Sequence, residues 1–264
     1  MLASSAGTSF GGGSGGGGAG GAGSGGAMAA AGAPATCPVS TSIEPAAASL
    51  HLPIELVAGE APLVLGQEFV TQGGGGYVPG VVSFFVSQVV LTSAAGERVP
   101  AHLTDAAGSP RPYDVMLVNA GDPTSLALDV RAPAGAYTAL ELGIGLPPAC
   151  NHGDPTQAVF PLNASTGFYW TWATGYMFIR IEGQLTAGAA LTPFSYHVGF
   201  DDLYRAIVLT HPFSLPSTDM SQRITFDLNR VMAAANAAPG DLALATELEV
   251  ADRFATPGTL AVRP

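Results

Sequence analysis

"SLHLPIELV" (residues 49–57) sets Leu50, Leu52, Ile54 and Leu56 on one side of an extended chain and His51, Pro53 and Glu55 on the other. A period of two is the pattern of a half-buried strand, and it argues against a helix at once. Working outward, "GVVSFFVSQVVLT" (80–92) is rich in β-branched and aromatic residues and closes on the turn "SAAGER". "YDVMLVN" (113–119), "TSLALDVRA" (124–132) and "GAYTALELGIGLP" (135–147) follow, each bounded by Asp, Gly or Pro. "YMFIRIEG" (176–183), "FSYHVGF" (194–200), "YRAIVLT" (204–210) and "QRITFDLN" (222–229) complete the set. About nine or ten strands with turn punctuation predict an all-β fold, a single antiparallel sandwich over 45–264 with short helical insertions. The best helix signal is "NRVMAAANAAPGD" (229–241), stopped by Pro239 and Gly240; "DDLYRA" (201–206) is expected to form one turn.

Ahead of the domain, "GGGSGGGGAGGAGSGG" (11–26) has 12 glycines in 16 residues, too little apolar surface to bury. Residues 1–44 are therefore expected to be a disordered Gly/Ala/Ser-rich linker. Such a tether resembles the spacer of surface lipoproteins, although no lipobox cysteine or signal pattern accompanies it here. A leader, and with it a lipid anchor, is expected from a start upstream of Met1. No run of about 18 apolar residues exists, so no membrane span is expected.

The 264 residues carry a net charge of -11 and only 11% charged side chains, with no basic footprint for phosphates; nucleic acid is excluded as a partner. Two cysteines, Cys37 and Cys150, fit an exported protein with one disulfide, or two unrelated thiols.

No nucleophile–base motif, P-loop, HExxH or CxxC occurs, so an enzyme is not expected. Asp201 and Asp202 read as solvent-facing or as a helix cap. Among the histidines, His51 shares a polar face with Glu55, His102 reads as surface, and His211 as part of a turn. His152, in "CNHGDP", lies in a loop with Asn151 and Asp154 beside it, where a carboxylate could orient the ring for a metal. His197 is opposed by parity to Phe194, Tyr196 and Val198. Most conspicuous is "GFYWTWATGYMFIRIEG" (167–183), which holds both tryptophans, Trp170 and Trp172, with Tyr176 close by. If extended, it presents both indoles on one face.

The block from Gly143 to Gly183, with Asn151-His152-x-Asp154-Pro155, Pro161-Leu162-Asn163, Trp170-x-Trp172 and Gly175-Tyr176-x-Phe178-x-Arg180, then His197-x-Gly199, resembles the MbnP-like copper-binding proteins. Weaker similarity extends it over roughly 50–232. These are bacterial envelope proteins associated with methanobactin genes. Two departures stand out: Leu65-Gly66 and "FDD" occupy places where many relatives have cysteines, so the family's disulfide scheme does not carry over. The resemblance implies a periplasmic or outer-membrane-surface protein that binds copper in acquisition or handling. It implies a metal site of His152, His197 and Trp170 or Trp172, with Asn151, Asp154 and Tyr176 behind it. It further implies that one tryptophan, Trp170 in preference, is oxidised to kynurenine by an MbnH-type di-haem partner of the cytochrome c peroxidase-like kind. Indole nitrogen is a donor only, whereas an aryl amine offers a lone pair. The competing expectation is a carbohydrate- or ligand-binding sandwich, with Trp170, Trp172 and Tyr176 as a stacking platform.

Overall fold

The computed structural model describes residues 37, 47–71, 73–187, 190–232, 240–241 and 244–263. The expected 1–44 linker lies outside them apart from Cys37. Twelve strands suffice to describe the architecture: β1 (Ala48–Ala58), β2 (Gly76–Ser93), β3 (His102–Thr104), β4 (Val115–Asn119), β5 (Ala127–Ala132), β6 (Gly135–Ile144), β7 (Tyr169–Thr171), β8 (Gly175–Ala187), β9 (Ala190–Gly199), β10 (Arg205–Leu215), β11 (Arg223–Asp227) and β12 (Leu260–Arg263). They form two sheets. The smaller runs β12–β11–β1–β5–β3, and the larger runs β10–β6–β2–β8–β9, with β4 and β7 added on β2 and β8. All-β is thus the correct class.

In β1, burial alternates as periodicity requires, with Leu50, Leu52, Ile54 and Leu56 inside. The sandwich is not purely antiparallel. β1 pairs with β11 in parallel, Ile54 beside Ile224 and Leu56 beside Phe226, while its other edge pairs antiparallel with β5. Strand periodicity reports which face is buried, and it carries no information on partner direction. The 18-residue β2 is the spine of the larger sheet. It kinks at Gln88, where φ is 49° and the register shifts between Ser87 and Val90, as at a β-bulge.

The sheets meet through aromatic rings. Phe84 of β2 lies 5.1 Å from Phe226 of β11, and Phe254 contacts both, at 5.4 and 4.9 Å. Phe254 ends the longest helix among the described residues. The helices are α1 (Pro148–Asn151), α2 (Leu228–Met232) and α3 (Leu244–Phe254). Within α3, Val250, Ala251 and Phe254 are buried at a spacing of one and three, a helical face. This helix is absent from the strand-dominated expectation because its apolar face is narrow and its other residues are mixed. α2 begins where helix was expected, and residues 233–239 lie outside the described set. His211 sits inside β10, where the register shifts between Thr210 and Phe213, and not in a turn. A proline at 212 suggested the turn, but β10 accommodates it at this irregularity.

Cys37 and Cys150 form a disulfide across 113 residues of sequence. In the chain-entropy account, closing such a loop is worth about 4–5 kcal/mol. The bridge ties residue 37 to α1, the helix that carries Asn151.

Replacing Phe226 with Ala removes the ring shared by both sheets and α3, and should cost about 3–5 kcal/mol in urea unfolding. Val208, exposed on β10, should tolerate Ala within about 0.5 kcal/mol. Equal losses at the two positions would contradict this placement of the core.

Candidate functional site

The aromatic-rich segment divides by environment. Phe168, Tyr176 and Phe178 are buried; Phe85 packs edge-on against Phe168 at 5.3 Å and Tyr176 at 6.2 Å. The Tyr176 hydroxyl donates to the Leu162 carbonyl, and burial first of all pushes its pKa well above the usual phenol value. The stretch is not a continuous strand, however. β7 ends at Thr171, whose Oγ1 accepts from the Thr174 backbone N–H at 3.2 Å and closes a hairpin turn. Trp170 therefore stays on the sheet, while Trp172 sits in the turn and is 82% exposed. The expectation of both indoles on one face fails, because strand parity ends where the turn begins.

Trp170 is half-buried. Its ring lies 6.4 Å from the His197 ring and 6.1 Å from Phe200. It also covers Gly199, where a Cβ would fall within 2.5 Å of the indole, so a glycine is needed for the ring to approach β9 this closely. Phe200 holds a positive φ of 71°, a conformation that costs a non-glycine residue about 1–3 kcal/mol.

His197 lies on the outer face of β9, as parity predicted, with Phe194, Tyr196 and Val198 buried on the other. It stands directly across from Arg180 of β8. Its Nε2 is 2.6 Å from Glu182 Oε1, and Arg180 grips the same carboxylate at 2.7 and 3.1 Å. Arg180 first, and His197 after it, hold the Glu182 carboxyl below the usual carboxylate range against the opposing effect of burial.

His152 follows α1 and is exposed. Its Nε2 lies 3.1 Å from Asp201 Oδ2, and its Nδ1 3.4 Å from the Trp172 carbonyl oxygen. Asp154 does not orient it. That carboxylate accepts from the Thr156 N–H and hydroxyl at 2.8 and 2.7 Å, which closes a local turn and lowers its pKa. A bond two residues away forms before a bond to a neighbouring ring can compete. Asp201 takes the role instead, at the start of the 3₁₀ turn Asp201–Leu203.

Asn151 is wholly buried and joins these parts. Its Oδ1 accepts from the Tyr176 N–H at 2.7 Å, and its Nδ2 donates to Asp201 Oδ1 at 2.8 Å. Gly175, with φ at 74°, lies against this carboxamide, where a Cβ would overlap Asn151 Oδ1. Beside it opens a cavity of about 700 Å³ lined by His152, Ala173, Thr174, Phe200, Asp201, Asp202, Leu203 and Leu248.

The structure thus brings His197, Trp170 and Phe200 together on one side, and His152, Asp201 and Asn151 on the other, with Phe200 touching Trp170 and lining the cavity beside His152. No hydrogen bond joins the two imidazoles. No group of three or more His, Cys, Asp or Glu among the described residues is placed to hold a metal ion unaided. Two carboxylates were not foreseen. Glu182 had a usable signal, since Arg180 and Glu182 share a strand face, as Ser195 and His197 do. Asp201 had none beyond its place after the histidine strand.

These features define an all-β sandwich protein in which a Trp170–His197 pair and a His152–Asp201 pair lie in the loops and strands beside the larger sheet. A family model for MbnP matches residues 47–248, well over half the chain, and the protein belongs to that family. Its fold is shared by MbnP from Methylosinus trichosporium, with a TM-score of 0.50 and 20% identity, covering 74% of this chain and 80% of that one. Among curated proteins, none matches. No helix among the described residues is long and apolar enough to cross a membrane.

Two outcomes test this geometry. Asn151→Ala leaves the buried Tyr176 N–H without an acceptor and should destabilise the fold by about 1–3 kcal/mol. In fluorescence, Trp172→Phe should leave a blue-shifted emission poorly quenched by acrylamide, whereas Trp170→Phe should leave a red-shifted, readily quenched one. The reverse order would contradict the division of the two indoles.

Proposed function

We propose that this chain is a copper-binding protein of the bacterial envelope, whose Trp170 is converted to kynurenine by a di-haem partner enzyme. It acts as substrate and metal carrier, not as catalyst. The observation that carries the reading is the placement of Trp170. It is the indole packed against a histidine, 6.4 Å from the His197 ring, while Trp172 projects into solvent. An amine formed at Trp170 would be held beside that imidazole; one formed at Trp172 would hang free of it.

The donor chemistry fits copper. Imidazoles suit it, and both candidate rings have a carboxylate on Nε2, the outer partner that metal-bound histidines usually require. His197 and His152 would hold the ion, with Asn151 keeping Asp201 in place behind His152. Copper, when bound, supplies a redox-active centre for acquisition or handling. Family membership supports this reading. The Cys37–Cys150 disulfide supports an oxidising compartment, the periplasm or outer surface. In the ring opening, the indole C2–C3 bond is cleaved: each carbon gains one oxygen from water, four protons leave, and the partner's peroxide-driven haem oxidant accepts the four electrons. Hydrolysis then releases C2 as formate and leaves the aryl amine.

The competing sugar-binding module would need an exposed aromatic row. Tyr176 is buried and Trp170 half-buried, so Trp172 alone of the three projects.

Protein matured with a competent di-haem partner should carry one kynurenine, located by peptide mass spectrometry at residue 170, and should bind copper more tightly than unmodified protein. Trp170→Phe should fold and lack the modification. His197→Ala should lower copper affinity at least about tenfold. Kynurenine at 172, or copper binding indifferent to both histidines, would overturn the assignment.

A further inference from the structure

Resting on the copper reading of this site, we propose that Glu182 is the positioning residue for His197. It fixes the imidazole as the Nε2–H tautomer and so makes Nδ1 the metal-ligating nitrogen.

Two groups compete for His197 Nε2. Glu182 Oε1 lies 2.6 Å away and the Ser195 hydroxyl 2.9 Å away. Only one of them dictates a tautomer. A carboxylate oxygen only accepts, so Glu182 requires a proton on Nε2; a serine hydroxyl donates or accepts, and is satisfied by either form of the ring. The shorter, charge-assisted bond wins, because an ionised acceptor roughly doubles the strength of a neutral one. The serine hydroxyl then accepts a share of the same proton or turns to water. Glu182 cannot swing away to leave the choice open, since Arg180 bonds both of its oxygens.

With Nε2 committed, the lone pair of the neutral ring lies on Nδ1. Among the described residues, no hydrogen-bond partner occupies that atom of His197. His152 provides the contrast. Acceptors face both its nitrogens, Asp201 at Nε2 and the Trp172 carbonyl at Nδ1. A ligand bound to its Nδ1 must first displace that 3.4 Å contact, so His152 adapts while His197 is set in advance.

The test begins with the metal-free full chain labelled with ¹⁵N in its imidazoles. Long-range ¹H–¹⁵N correlation at pH 8, above the ordinary imidazole range, assigns each tautomer. His197 should show a protonated Nε2 and a bare Nδ1. Ser195→Ala should leave this pattern unchanged. Glu182→Leu should lose the strict Nε2–H preference and show a mixed tautomer population, since the serine hydroxyl that remains can donate or accept, and should weaken copper binding about 10–100-fold. A merely structural glutamate would not move the tautomer. If Glu182→Leu fails to fold, the wild-type and Ser195→Ala spectra still decide. A wild type in the Nδ1–H form, or a Ser195→Ala protein that changes tautomer, overturns the role of Glu182 whatever copper does. A wild type with the expected tautomer that takes up no copper overturns the site reading and with it the ligating role of Nδ1, while Glu182's hold on the ring stands.

Discussion

The site depends on one buried side chain amide. Asn151 offers an acceptor to the Tyr176 backbone and a donor to Asp201, and only a carboxamide supplies both from one planar group. Its partners fix its orientation, because a backbone N–H only donates and a carboxylate only accepts. Aspartate in its place would set two carboxylates against each other, and leucine would leave the buried Tyr176 N–H without an acceptor and Asp201 with His152 alone. Through this one group α1, the β7–β8 hairpin and the Asp201–Leu203 turn are held as a unit. Two further features guard it. The Cys37–Cys150 bridge anchors the preceding residue, and Gly175 leaves the space the carboxamide fills.

Pairing of histidine with a carboxylate is not itself the mark of the site. His51 pairs with Asp129 and His102 with Asp114, both histidines being on strands of the smaller sheet. What differs is which nitrogen is engaged. At His51 and His102 the carboxylate takes Nδ1, and at His152 and His197 it takes Nε2. The second arrangement leaves the nitrogen nearer the backbone for a ligand, and in His197 it does so beside an indole.

Local periodicity made β1, β2, β8 and β9 legible, because the burial of alternate side chains is written in the chain itself. The same logic placed His197 opposite its buried neighbours. It could not place Glu182 or Asp201 on their histidines, since those contacts span 15 and 49 residues and arise from strand register and loop closure. Nor could it choose between a bridge and two thiols at Cys37 and Cys150, a contact made across 113 residues. Asp154 shows the opposite error: the carboxylate nearest His152 in sequence is consumed by its own turn. The parity argument for Trp170 and Trp172 failed for a similar reason, as it presumes a strand that Thr171 and Thr174 bring to an end.

That interruption explains why so many aromatics share one short segment. Three of them, Phe168, Tyr176 and Phe178, serve the core, and their burial fixes the hairpin. The hairpin then carries two indoles to different fates one residue apart from its turn. Trp172 meets His152 through its backbone carbonyl, while its exposed ring packs on no other ring among the described residues. A ring deep in the core would be held by its neighbours but closed to a protein-sized oxidant. Trp170 lies between these limits: half-buried on Gly199, it is flanked by the tilted rings of His197 and Phe200. Phe200 bears backbone strain to remain beside it, and such strain persists only where surrounding contacts enforce it. The strain at Phe200 and the missing side chain at Gly199 thus fall on the two residues that border the Trp170 ring.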